Sequence, residues 1–89
     1  MNRVFLSGRL QEKAEVRYTP KGEKIVAFPL KVDEGAFTVE VVYLDASGSR
    51  KTERDAGAEV MVAGTIARNP GRTSEGLRVR ASKLFWMED

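Results

Sequence analysis

The side chains best equipped for chemistry in this sequence are guanidinium groups. Arg68, Arg72, Arg78 and Arg80, followed by Lys83, fall within residues 67–83 against the single acid Glu75. Residues 32–45 show the reverse balance, with Asp33, Glu34, Glu40 and Asp45 and no base. Arg78 and Arg80 alternate along one segment, and Arg68 and Arg72 flank the turn residues Asn69-Pro70-Gly71. A planar, permanently charged fork suits bidentate contact with phosphate and also stacks on flat rings. With a net charge of only +2, such a cluster suits one positive surface facing a polyanion. The same arginines could instead decorate a solvated strand and guard its edge against aggregation. Lys31, close to Asp33 and Glu34, could join the surface. Arg3 could join it too, or sit at a subunit interface.

Other chemistries are poorly supplied. The sequence has no histidine and no cysteine, which removes the usual general base, the thiolate nucleophile and the disulfide. There is no glycine-rich phosphate loop and no spaced carboxylate pair, so neither catalysis nor a metal or other cofactor is expected. Asp33, Glu34 and Glu40 are expected to be solvated. No apolar run approaches the roughly 20 residues of a membrane span, and the opening residues lack the pattern of a signal peptide. A soluble cytoplasmic protein is the expectation.

The elements that must position these arginines read as strands. Val4, Leu6 and Leu10 share one face of a first strand, with Arg3, Phe5 and Arg9 on the other and Gly8 at a sharp bend. Arg17-Tyr18-Thr19-Pro20-Lys21-Gly22 reads as a turn, in which proline fixes φ. A second strand follows over residues 25–32, with Val26, Phe28, Leu30 and Val32 inward and Pro29 at an edge or bulge. After the short Asp33-Glu34-Gly35 connection, a third strand over 37–44 turns Phe37, Val39, Val41 and Tyr43 inward. Thr38, Glu40, Val42 and Leu44 then face out. Val60, Val62 and Ile66 mark a fourth strand, and Leu77, Val79 and Ala81 alternate with Arg78, Arg80 and Ser82 in a fifth. At most a short helix is expected near Lys51 to Ala56. Five strands in 89 residues make one all-β domain, 1–89, a small barrel or sandwich. A core of that size often gains stability by self-association.

The opening third carries a resemblance as well. The first strand with Gly8, then Tyr18-Thr19-Pro20-Lys21-Gly22, then Ile25 to Val32 resembles the bacterial single-stranded-DNA-binding protein family and its relative primosomal replication protein N (PriB). Val60-Met61-Val62-Ala63-Gly64 looks like the family's fourth strand. The resemblance implies a five-stranded oligonucleotide-binding (OB) barrel with its ligand across the second and third strands. It implies a homodimer or tetramer joined through the first strand. It also implies single-stranded DNA as partner, with RNA left open, and replication or primosome proteins as further partners.

The chain departs from the family in three ways. The polar segment Ala46 to Ala56 replaces a helix. With Glu88-Asp89 as its last residues, the chain is expected to lack the family's long acid-tipped tail. Finally, the outward face of the third strand offers Thr38, Glu40, Val42 and Leu44 where stacking aromatics would stand. Stacking supplies about 1–3 kcal/mol per base. Without it, binding is expected to be mainly electrostatic and sequence-non-specific, through Arg3, Lys31, Arg68, Arg72, Arg78 and Arg80. Four such contacts would give log affinity a slope of roughly −3 against log salt. The competing expectation is a protein-interaction module whose nucleic-acid binding is incidental. Phe28, Phe37 and Tyr43 are expected in the core, Trp86 in packing, Phe5 at an interface and Tyr18 beside Arg17.

Overall fold

Period-two alternation becomes strand almost everywhere it occurs. The computed structural model describes residues 1–35, 37–45, 54–68 and 76–87. They form β1 (Val4–Leu10), β2 (Glu15–Tyr18), β3 (Lys24–Val32), β4 (Thr38–Asp45), β5 (Glu59–Arg68) and β6 (Leu77–Met87), with no helix among the described residues. The strand order is β1-β5-β6-β4-β3-β2, and β1 also pairs with β3. β1, β3, β4, β6 and β5 therefore close into a five-stranded barrel, with β2 as a flap on β3. All pairings are antiparallel except β4 with β6.

Inward-facing residues fill the barrel. Val26, Phe28, Leu30, Val41, Val60, Val62 and Val79 are at most 1% exposed. Burying each such side chain is worth about 1.5–3 kcal/mol relative to leaving it in water. Trp86 caps this cluster, its ring 5.7 Å from that of Phe28.

Closure turns on Gly8, which pairs with Val32 of β3 and with Val60 of β5. A Cβ there would collide with the Lys31 carbonyl group, so only glycine lets β1 come close enough to pair with β3 and β5 at once and close the sheet on itself. Pro29 fits for a related reason. β2 pairs with β3 at residues 24–27 and β1 pairs with it at 30–32, so Pro29 lies in the gap. Its carbonyl points into that gap and accepts from the Gln11 N–H at 2.9 Å. Its nitrogen faces the same way, where no strand requires a donor.

Several expectations need correction. Arg17 and Tyr18 belong to β2, and the turn proper is Thr19–Gly22, closed by the Gly22 N–H donating to the Thr19 carbonyl at 2.8 Å. Phe37 is not core. It precedes β4, its carbonyl accepts from the Val32 N–H, its ring lies over Gly35 at the hairpin tip, and it is 51% exposed. Tyr43 does pack against the core. Ile66 and Leu77 are also exposed. Beyond Gly64 and Arg78 the β5–β6 ladder runs past the strand pairing with β1 and β4, so among the described residues no paired strand continues beside those side chains. The first half of the expected 51–56 helix, residues 51–53, lies outside the described residues. Its end, Arg54 to Ala56, is non-helical. There the Ala14 N–H donates to the Arg54 carbonyl at 3.0 Å, and the Arg54 guanidinium sits 4.8 Å above the Trp86 ring.

Candidate nucleic-acid interface

One extra residue decides where the arginines point. Val60 and Val62 face Trp86 and Leu84, and all four lie on the core side. Strict alternation from there would send Ser82, Arg80 and Arg78 inward. Between Ala63 and Gly64 the register shifts: Ala63 opposes Lys83 but Gly64 opposes Ala81, leaving Ser82 as a bulge. The Ser82 hydroxyl donates to the Ala63 carbonyl at 3.1 Å. Past the bulge Ala81 and Val79 turn inward, and Arg80 and Arg78 outward. Gly64 makes this possible, since a Cβ there would meet the Arg80 carbonyl group and come within 2.8 Å of the Ala81 Cα.

On the outer face, two rows cross the sheet. Ala27, Val42, Arg80 and Thr65 form one, and Pro29, Glu40, Arg78 and Ala67 the next. A groove of about 1140 Å³ runs over Val42, Arg80 and Thr65 of the first row. Val42, Gly64, Arg80 and Ser82 line its floor. Asn2, Arg3 and Phe5 rise on one side and Thr19, Glu23, Ile25 and Leu44 on the other. Arg80 is exposed and Arg78 half-buried. The Arg78 Nε is buried and meets no hydrogen-bond partner among the described residues, so part of this guanidinium is desolvated and lacks an acceptor. Phe5 is 71% exposed and Leu44 49%, which gives the groove apolar walls beside its cations.

Of the six cations singled out by sequence, the groove gathers Arg3, Arg78 and Arg80. Arg68 is exposed at the end of β5, opposite Leu77 and outside this lining. Lys31 lies on the same outer face one row beyond Pro29 and Glu40, opposite Thr38. It lines a separate depression of about 610 Å³ with Arg9, whose guanidinium lies 3.8 Å from Glu59 and donates to the Gly57 carbonyl at 3.2 Å. Arg72 lies outside the described residues. Sequence reasoning missed Asn2 and Ile25 as groove residues and assigned Phe5 to an interface. Its outward alternation was the available signal for Phe5. Among the described residues no group of acids could hold a metal ion, and no helix is long and apolar enough to cross a membrane.

A closed five-stranded barrel with one parallel pair between its third and fifth strands and a basic groove across its side has the OB architecture. The chain belongs to the single-strand binding protein family, whose model matches residues 1–85. The wild-type single-stranded DNA binding protein from Thermus aquaticus is similar over 100% of this chain, with TM-score 0.84 and 27% identity, but over only 41% of its own length. The chain thus spans less than half of that protein. PriB from Ralstonia solanacearum is similar over 99% of both chains, with TM-score 0.69 and 24% identity, a likeness of fold. No curated protein sequence matches the chain.

Proposed function

We propose that this chain binds single-stranded DNA along the groove, gripping phosphates rather than reading bases. The observation that carries this is the convergence of Arg3, Arg78 and Arg80 around one groove on an OB barrel of this family. The guanidinium forks supply phosphate contacts. The apolar faces of Phe5, Val42 and Leu44 give bases a surface to lie on, without the row of stacking rings that would make binding tight. Lys31 extends the track past Glu40, Arg68 extends it at the end of β5, and Arg72, four residues on in sequence, is a further candidate cation. Binding on these terms is non-specific in sequence and steeply salt-dependent, as fits a role in DNA replication or replication restart in the cytoplasm. A homodimer through β1 is part of the proposal. It is supported by residues 4–6 of β1, which pair with β5 on one side and with no strand on the other among the described residues, whereas from Ser7 onward that edge is taken, the Ser7 carbonyl accepting from the Asp33 N–H at 2.8 Å.

The test is fluorescence anisotropy of labelled oligothymidylate across a salt series. Affinity that falls with a log–log slope of about −2 per protomer from the three groove contacts at roughly 0.7 each, or more steeply where the outlying cations also meet phosphate, supports the proposal. Absence of binding at low salt, or binding indifferent to salt, overturns it.

A second reading rests on a neighbouring surface that shares Phe5 with the groove. The outer face of β1, β5 and β6 carries Phe5, Met61, Phe85 and Met87, each at least 37% exposed. That apolar strip suits a protein-interaction module. Replication partners retained after nuclease treatment would favour it.

A further inference from the structure

The geometry points to Asn2 as a positioning residue of the groove, acting through Arg3; this inference rests on the DNA-binding reading above. The Asn2 Nδ2 donates to the Ile66 carbonyl at 2.8 Å, and the Ile66 N–H donates to the Asn2 Oδ1 at 3.0 Å. A side-chain amide carries the same donor and acceptor as a peptide unit, so Asn2 adds a rung to the β1–β5 ladder. The rung keeps the register: Val4 opposes Gly64, and Asn2 grips Ile66 two residues farther along each strand. Arg3 is therefore held from both sides, directly opposite Thr65. Thr65 in turn opposes Arg80.

The staple thus lays Arg3, Thr65 and Arg80 in one row, with the two arginine backbones about 9–10 Å apart, or two strand spacings. Arg78 stands two residues along β6, about 7 Å away at ~3.3 Å per residue. Without the staple, the residues before Val4 have no described rung to hold them to β5, and Arg3 leaves the row. Asn2 itself offers no charge. Its contribution is the fixed place of a neighbouring cation.

Asn2→Ala and Arg3→Ala, singly and together, test this by oligothymidylate affinity over a salt series, with amide hydrogen exchange at Ile66. Asn2→Ala is expected to speed Ile66 exchange and flatten the log–log slope by up to about 0.7, one phosphate's share. At about 50 mM salt this lowers affinity by roughly five- to tenfold. In the Arg3→Ala background Asn2→Ala is expected to change affinity and slope no further, although Ile66 exchange still quickens. An equal affinity loss in both backgrounds, an unchanged wild-type slope on removing Asn2, or unchanged exchange at Ile66 overturns the inference while leaving DNA binding intact. Wild-type protein that binds no oligothymidylate overturns the DNA-binding reading itself.

Discussion

Replacing Gly64 with alanine adds one methyl group at the point where β5 crosses the bulge of β6. That methyl would meet the Arg80 carbonyl group, with the Ala81 Cα at 2.8 Å and the Arg80 carbonyl carbon at 2.9 Å. All three neighbours are backbone atoms, so no side chain can swing aside and the strands must separate or the bulge must shift. Overpacking of a close-packed site costs typically 1–3 kcal/mol, and the rigidity of these neighbours puts Gly64→Ala near the upper end, about 3 kcal/mol. For a domain of this size that is on the order of 10–20 °C in Tm. Urea unfolding followed by far-ultraviolet circular dichroism reads the stability change directly, with exposed Thr65→Ala as a neighbouring control expected to move it by less than about 0.5 kcal/mol. Oligonucleotide affinity, measured well below the midpoint, reads the second consequence. A displaced bulge re-aims Arg80 and Arg78, so affinity falls even in the folded fraction. An unchanged urea midpoint would refute the close approach of the strands. A lowered midpoint with wild-type affinity would refute the link between the bulge and the arginines.

Arg80→Ala should flatten the salt slope from about −2 to about −1.4, weakening binding roughly eightfold at about 50 mM salt, with the two lines converging toward 1 M; parallel lines would show that Arg80 meets no phosphate. Phe28→Ala, at 1% exposure beside Trp86, should cost about 3–5 kcal/mol in chemical unfolding. Trp86 packs on Phe28 beneath Arg54 and does not line the groove, so its emission should change little on adding saturating oligothymidylate. Strong quenching would mean that it stacks on a base.

Alternation was the legible signal, and it failed where the chain breaks it. Val26, Phe28 and Leu30 read as core and are core, because a strand with a partner on each side has no freedom to re-aim its side chains. Gly8 was legible for the same reason, as a gap in a regular pattern. The bulge had a trace too. Ser82 and Lys83 put two polar residues between Ala81 and Leu84, a slip of the period that only an extra residue reconciles with both flanking inward sets. Phe37, Ile66 and Leu77 misled because composition cannot tell where a ladder outruns its neighbours. The row of Arg3 and Arg80 was beyond sequence reasoning altogether. It depends on the register between strands some sixty positions apart and on an asparagine whose amide stands in for backbone.

The parallel pairing of β4 with β6, residues 40–43 against 78–81, also governs how such a chain reaches its native state. It joins segments nearly forty positions apart, and β6 is the last described strand to emerge during synthesis. Until it arrives, β4 and β5 each present an open hydrogen-bonding edge, with Val41, Val60 and Val62 uncovered. High contact order of this kind places folding in the ~millisecond-to-second range. A nascent chain would therefore pass through a half-sheet stage able to recruit strands from other molecules. Glu40 on β4 and Glu59 on β5 put one charge on each of those edges, which disappear once the barrel shuts.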